Sequence, residues 1–210
     1  MELKNIILDV DGTLWDTTDI VADSWTRAIQ DCGIEGVEVT GGDLKKLFGK
    51  TMDVIAKALL PDCTQEKREE IMETCCRYEH EDLQRDPCDV LYPEVKETIC
   101  ALSEKTKVFI VSNCQSGYIE LFLEKTGLSD YVADIECYGN TGKQKDENIR
   151  ILMERNCIED AIYVGDTMGD FEAARKAEVP FVFAEYGFGD VPESDMCIRR
   201  FAELKNLTLY

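Results

Sequence analysis

Short apolar runs recur along the chain, each closed by a polar turn and followed by a helical spacing of apolar residues. Asn5–Val10 (NIILDV) is the first, β-branched and without helical periodicity. Lys107–Ser112 (KVFIVS), the weaker Asp134–Cys137 (DIEC), Ala161–Val164 (AIYV) and Pro180–Ala184 (PFVFA) complete the set. Between them, Pro93–Glu104 places Val95, Ile99 and Leu102 on one helical face. Tyr118–Lys125 does the same with Ile119, Phe122 and Leu123, and Ile149–Arg155 precedes the fourth run. Near-continuous apolar strands alternating with helices predict a parallel sheet covered on both faces, an α/β fold of the doubly wound kind.

One connection breaks the alternation. The first and second strands are separated by about a hundred residues, far more than a crossover helix requires. Thr18–Cys32, Thr40–Leu47, Thr51–Leu60 and Thr64–Leu83 all read as helices with polar starts. A helical domain inserted after strand one accounts for them. Its expected span is residues 17–86, leaving 1–16 and 87–210 as the α/β core domain.

Composition narrows the function classes. At 210 residues the chain is long enough for a real core without staples. Its 43 acidic against 23 basic side chains give a net charge of −20, which argues against nucleic acid and anionic membrane surfaces as partners. No run reaches the roughly 18–20 apolar residues of a membrane span, and MELKNIILDV lacks the order of a secretory signal. The ten cysteines are scattered without C-x-x-C, and His80 is the single histidine. Zinc ribbons and disulfide frameworks are unsupported, and the expectation is a cytoplasmic protein with reduced thiols and no obligate protein partner. With no G-x-S-x-G and one histidine in a charged helical stretch, a Ser-His-Asp hydrolase is also excluded. Acid–base chemistry is left to carboxylates.

The carboxylates gather at strand ends. Asp9 and Asp11 stand two apart in DVDGTLWD, a spacing that sends both to one side of an extended strand, and Gly12 permits a tight turn. The second strand ends in Ser112-Asn113, a hydroxyl and an amide before a helix start. The fourth ends in Gly165-Asp166-Thr167-Met168-Gly169-Asp170. After the third, Lys143 and Lys145 precede a helix in TGKQKDENIRIL. Acids for a hard divalent cation, with a lysine and N–H donors for a phosphate, make up the equipment of metal-assisted phosphoryl transfer.

With these motifs in order over essentially the whole length, the chain resembles the haloacid dehalogenase superfamily of hydrolases. It is most similar to the phosphoglycolate phosphatase-like branch, which carries a C1-type helical cap after strand one. That resemblance implies Asp9 as the nucleophile of an aspartyl-phosphate and Asp11 as general acid, then base. It implies Mg2+ held by Asp9, the backbone carbonyl of Asp11 and Asp166, with Asp170 in support. Gly12, Thr13, Ser112 and Asn113 would receive the phosphoryl group, and Lys145, or Lys143 by a proline-flanked spacing absent here, would supply the cation. Gly49-Lys50-Thr51 is no P-loop, because the required earlier glycine is Leu44. The resemblance instead makes Lys50 a candidate for substrate contact. Trp15 is expected as a core or hinge residue, and Tyr186–Gly189 as a structural loop.

The expected function is a Mg2+-dependent phosphatase acting on a small phosphorylated metabolite. Two alternatives share the motifs: a sugar-phosphate phosphomutase, and a non-catalytic regulatory protein that kept the fold.

Overall fold

The strands of the computed structural model are β1 (Asn5–Leu8), β2 (Lys107–Ser112), β3 (Val132–Cys137), β4 (Ile162–Gly165), β5 (Phe181–Ala184) and β6 (Cys197–Ile198). The structure describes residues 4–87, 90–194 and 196–207. All six strands run parallel in the order β3-β2-β1-β4-β5-β6. Leu8 of β1 pairs with Ile110 of β2 on one side and Val164 of β4 on the other. The winding direction reverses between β1 and β4, and such a switch point opens a crevice at the carboxyl ends of those strands. Ile6, Ile7 and Leu8 are fully buried, which is what central strands covered on both faces require.

The chain divides into two units, Thr17–Val90 and the pair Met1–Asp16 with Leu91–Tyr210. The first is helical: α1 (Thr18–Asp31), α2 (Gly41–Leu47), α3 (Met52–Leu59) and α4 (Gln65–Arg85). Thr40 and Thr64 cap α2 and α4 through their side chains. Val21, Trp25, Ala28 and Ile29 of α1 face Ile71, Met72, Cys75 and Leu83 of α4 across its core. Glu79 is buried there and accepts from Trp25 Nε1 at 2.7 Å, so the buried acid has a partner. Gly49-Lys50-Thr51 follows a helix, α2, where a P-loop follows a strand.

In the sheet unit the helices are α5 (Val95–Ser103), α6 (Tyr118–Thr126), a single turn α7 (Tyr138–Thr141), α8 (Lys145–Arg155) and α9 (Met168–Lys176). Ile149 and Leu152 of α8 and Ala173 and Ala174 of α9 pack on Phe109, Tyr163, Phe181 and Phe183. The structure departs from the sequence reading at the sheet margins. β3 starts at Val132, two residues before the apolar run, and β6 was not expected at all. β3 is an edge strand with mostly half-buried positions, and β6 has two residues, so neither carries a continuous apolar signature. α8 also begins at Lys145, ahead of its first apolar residue. No described helix is long and apolar enough to cross a membrane. The nine described cysteines are all free thiols; Cys88 lies outside the described residues.

Candidate active site

β1 ends at Leu8, and everything chemically distinctive follows it. The Asp9 N–H still donates to Val164 O at 2.9 Å, joining the strand's exit to β4. Val10 O then accepts from the N–H groups of Thr13, Leu14 and Trp15, and the Gly12 N–H donates to Trp15 O at 3.0 Å, closing a tight loop. Gly12 has φ +81°, and a Cβ there would lie 2.1 Å from the Asp166 carboxylate. A glycine is therefore required both by conformation and by close approach. Asp11 lies beyond the extended segment, so strand alternation does not govern its direction, and the two acids have different surroundings.

Asp9, Asp166 and Asp170 form a cluster. Each offers one oxygen, all within 4.8 Å of one another, and all three residues are essentially inaccessible to solvent. Lys145, the first residue of α8, reaches into it. Its Nζ lies 2.9 Å from Asp9 Oδ1 and 2.5 Å from Asp170 Oδ1, and 5.8 Å from the centroid of the Tyr163 ring. Lys143 is exposed and sits 3.9 Å from Glu147. Of the two lysines, Lys145 is the one in the cluster. Asp170 caps α9, accepting from Thr167 Oγ1 at 2.6 Å and from the Thr167 N–H at 3.0 Å. Asp166 accepts from Thr13 Oγ1 at 3.2 Å and from the Phe188 N–H at 2.7 Å.

Electrostatics follow from this burial. Desolvation pushes the Asp9 carboxyl up to about 6 against the pull of Lys145, with Asp170 adding to the rise. Burial, with the Asp170 and Asp9 charges, holds Asp166 well above the usual carboxylate range. Burial alone would lower Lys145, but the Asp170 and Asp9 charges outweigh it and hold the ammonium firmly protonated. With all three acids ionised, three carboxylates face one ammonium and two negative charges are left to be met in a dry site, which is why burial resists that state in the absence of a further cation. A hard divalent cation, which takes oxygen donors, fits that deficit.

Asp11 stands apart from the cluster. Its Oδ1 accepts from Trp15 Nε1 at 2.9 Å and from Tyr118 Oη at 2.7 Å. Burial nevertheless raises its carboxyl to about 7, with the Asp9 charge adding and the two hydrogen bonds only partly offsetting.

The remaining residues of the sequence reading fall as follows. Ser112 ends β2 and is buried, at the neighbouring strand tip to Asp9, and half-buried Asn113 follows it. Thr13 is buried with its hydroxyl on Asp166. Lys50 belongs to the helical unit, exposed in the turn between α2 and α3. Sequence reasoning missed the Tyr118 hydroxyl, the Trp15 indole N–H and the Phe188 N–H. The last comes from the Tyr186–Gly189 loop, which was expected to be structural only. Its only advance sign is Gly187, where a Cβ would meet Asp166 Cβ at 2.3 Å and Gly12 O at 2.4 Å. Tyr186 Oη adds a tie to Thr13 O at 2.7 Å.

Comparison with known proteins places the chain among relatives. The family model for haloacid dehalogenase-like hydrolases matches residues 6–184. The chain is 32% identical to the phosphoglycolate phosphatase of Agrobacterium fabrum, over 94% of this chain and 89% of that one. It is 27% identical to the phosphoglycolate phosphatase of Vibrio vulnificus strain YJ016, over 99% and 97%. A crystal structure from Haemophilus somnus, described as a predicted phosphoglycolate phosphatase, superposes with a TM-score of 0.84 at 21% identity, covering 98% of both chains.

Proposed function

The chain belongs to the haloacid dehalogenase-like hydrolase family, and from that premise we propose that it is a Mg2+-dependent phosphatase of a small phosphorylated metabolite, working through an aspartyl-phosphate on Asp9. The observation that carries this reading is Lys145 Nζ bridging Asp9 and Asp170 inside the buried three-carboxylate cluster at the sheet's switch point.

Each residue then has a distinct task. Asp9 presents a carboxylate oxygen to phosphorus and becomes the acyl phosphate. Lys145 keeps Asp9 ionised and in place, and its charge opposes the negative charge gathering on the phosphoryl oxygens. Ser112 and Asn113, with the backbone of Gly12 and Thr13, receive those oxygens. Asp11 gives its proton to the leaving oxygen and later takes one from the water that attacks the acyl phosphate. A carboxyl raised to about 7 has the protonated form available at neutral pH. Asp9, Asp166 and Asp170, with the backbone carbonyl of Asp11, would hold Mg2+, which when bound neutralises phosphate charge and polarises phosphorus toward attack.

The helical unit is assigned the choice of leaving group, with Lys50 as its cationic contact. Lys50→Ala should raise KM for a charged metabolite several-fold and leave turnover of an aryl phosphate unchanged, since the residue is exposed and folding does not depend on it. Unchanged KM for every substrate would remove Lys50 from the site. Relatives at up to 32% identity are named phosphoglycolate phosphatases, which makes 2-phosphoglycolate the first substrate to assay. Phosphate release from a metabolite panel, with Mg2+ and with chelator, tests the reading. Activity confined to the Mg2+ arm is expected, and full activity in chelator would remove the metal from it.

The cluster also predicts how metal and pH interact in stability. Folded-state carboxyl values above the usual range mean that the folded protein binds more protons than the unfolded chain. Without metal, the contribution of Asp9 to stability therefore falls as pH rises from about 4 through about 6. Mg2+ should restore it only where the carboxylates are ionised. At a hundredfold excess over Kd, Mg2+ should raise Tm by about 5–10 °C at pH 7.5, and by much less at pH 5. Thermal melts in Mg2+ and in chelator at both values check this, and equal gains would contradict a carboxylate site.

A further inference from the structure

The reaction as read above needs one carboxyl group to deliver a proton and then recover one, and the structure restrains that group at a single oxygen. Asp11 Oδ1 receives two donors, Trp15 Nε1 at 2.9 Å and Tyr118 Oη at 2.7 Å. Both donors are anchored. Trp15 is fully buried, its N–H bonds Val10 O, and its ring meets Phe122 edge-on at 4.9 Å. Tyr118 is 3% exposed, opens α6 behind Gly117, and its ring meets Trp15 edge-on at 5.5 Å. A carboxylate oxygen has two lone pairs, and an indole N–H and a phenol O–H on Oδ1 occupy both. Protonating Oδ1 would break one of these bonds in a buried place.

We propose that Tyr118 and Trp15 are positioning residues for proton transfer, holding Oδ1 of Asp11 as acceptor and thereby fixing Oδ2 as the atom that carries the proton. This rests on Asp11 being the general acid and base. In the first half-reaction the Oδ2–H proton passes to the leaving oxygen as its bond to phosphorus breaks and the Asp9–phosphorus bond forms. In the second, water attacks phosphorus, its proton passes to Oδ2, and the Asp9 carboxylate departs. Asp11 ends as it began. Neither aromatic residue touches the substrate; each acts by denying the carboxyl group its other protonation site and its rotation.

The test compares Tyr118→Phe with Asp11→Asn across leaving groups. Tyr118→Phe keeps the ring and its contact with Trp15 and removes the hydroxyl. Expected for Tyr118→Phe is a kcat loss of about tenfold on alkyl phosphates, a fraction of the full general-acid contribution. Tm should be unaltered, and with 4-nitrophenyl phosphate, whose leaving group needs no proton, single-turnover release of nitrophenol should keep nearly the native rate, while the steady state, which still needs Asp11 as base, slows as it does on alkyl phosphates. Trp15→Phe should give the same leaving-group contrast, so the inference survives if one variant folds poorly. If Asp11→Asn shows the contrast and both aromatic variants show none, or lose activity uniformly, the positioning role is wrong and the reading of Asp11 stands. If the single-turnover rate of Asp11→Asn itself falls equally on every substrate, the reading of Asp11 fails and the inference with it.

Discussion

Asp9→Asn should abolish turnover of every phosphate ester, because an amide nitrogen or oxygen cannot form the acyl phosphate. The loss should exceed that of any other single substitution in the sheet unit, down to the limit set by contaminating activity. It should not come from unfolding. Asp9 is an acid whose ionised form is disfavoured by burial, its carboxyl standing at about 6, so removing the charge relieves repulsion with Asp170 and leaves Lys145 its second partner at 2.5 Å. Metal-free Asp9→Asn protein should therefore melt no lower than the native chain at pH 7.5. Its Mg2+-dependent gain in Tm should be smaller, since one ligand oxygen has lost its charge. A variant that melted far below the native protein would mean that Asp9 serves the fold and not the reaction.

Asp11→Asn should cost on the order of 10²–10⁴ in kcat on alkyl phosphates, the span of general acid–base assistance. The penalty on the first step, phosphoryl transfer to Asp9, should shrink on aryl phosphates, because a phenolate departs without help. Water attack on the acyl phosphate would also lack its base, so a phosphoenzyme should accumulate in this variant and turn over slowly. Pre-steady-state bursts on 4-nitrophenyl phosphate measure both effects at once: a burst of nitrophenol followed by a slow steady state. A linear time course at the native rate would remove Asp11 from the second step.

What the sequence disclosed and what it hid have physical reasons. Asp9, Asp166, Asp170 and Lys145 were legible because each sits within a residue or two of a strand's end or a helix's start, and apolar runs mark those ends well at the buried centre of the sheet. Lys145 separates from Lys143 for the same reason: it opens α8, and the helix start points it inward. Period-two alternation holds only in extended chain and β1 stops at Leu8, so the spacing alone does not decide where Asp11 points, although its carboxyl lies near enough to Asp9 to be raised by that charge. The Tyr118–Asp11 bond spans 107 positions and joins an acid to an aromatic residue that reads as helix core, so no local pattern announces it. The Phe188 N–H is a backbone donor and has no side-chain signature. For want of burial, edge strand β3 was read two residues short and β6 escaped altogether.

The account turns on covalent phosphate at Asp9, and the most direct measurement is rapid-quench trapping. Protein carrying Asp11→Asn is mixed with phosphorus-32-labelled substrate and Mg2+, quenched in acid within milliseconds, digested and mapped. The account predicts near-stoichiometric label on the peptide containing Asp9, labile to hydroxylamine as an acyl phosphate is, and none when Asp9→Asn is added. Label on a serine, lysine or other peptide, or trapped label that persists in the Asp9→Asn protein, would contradict it.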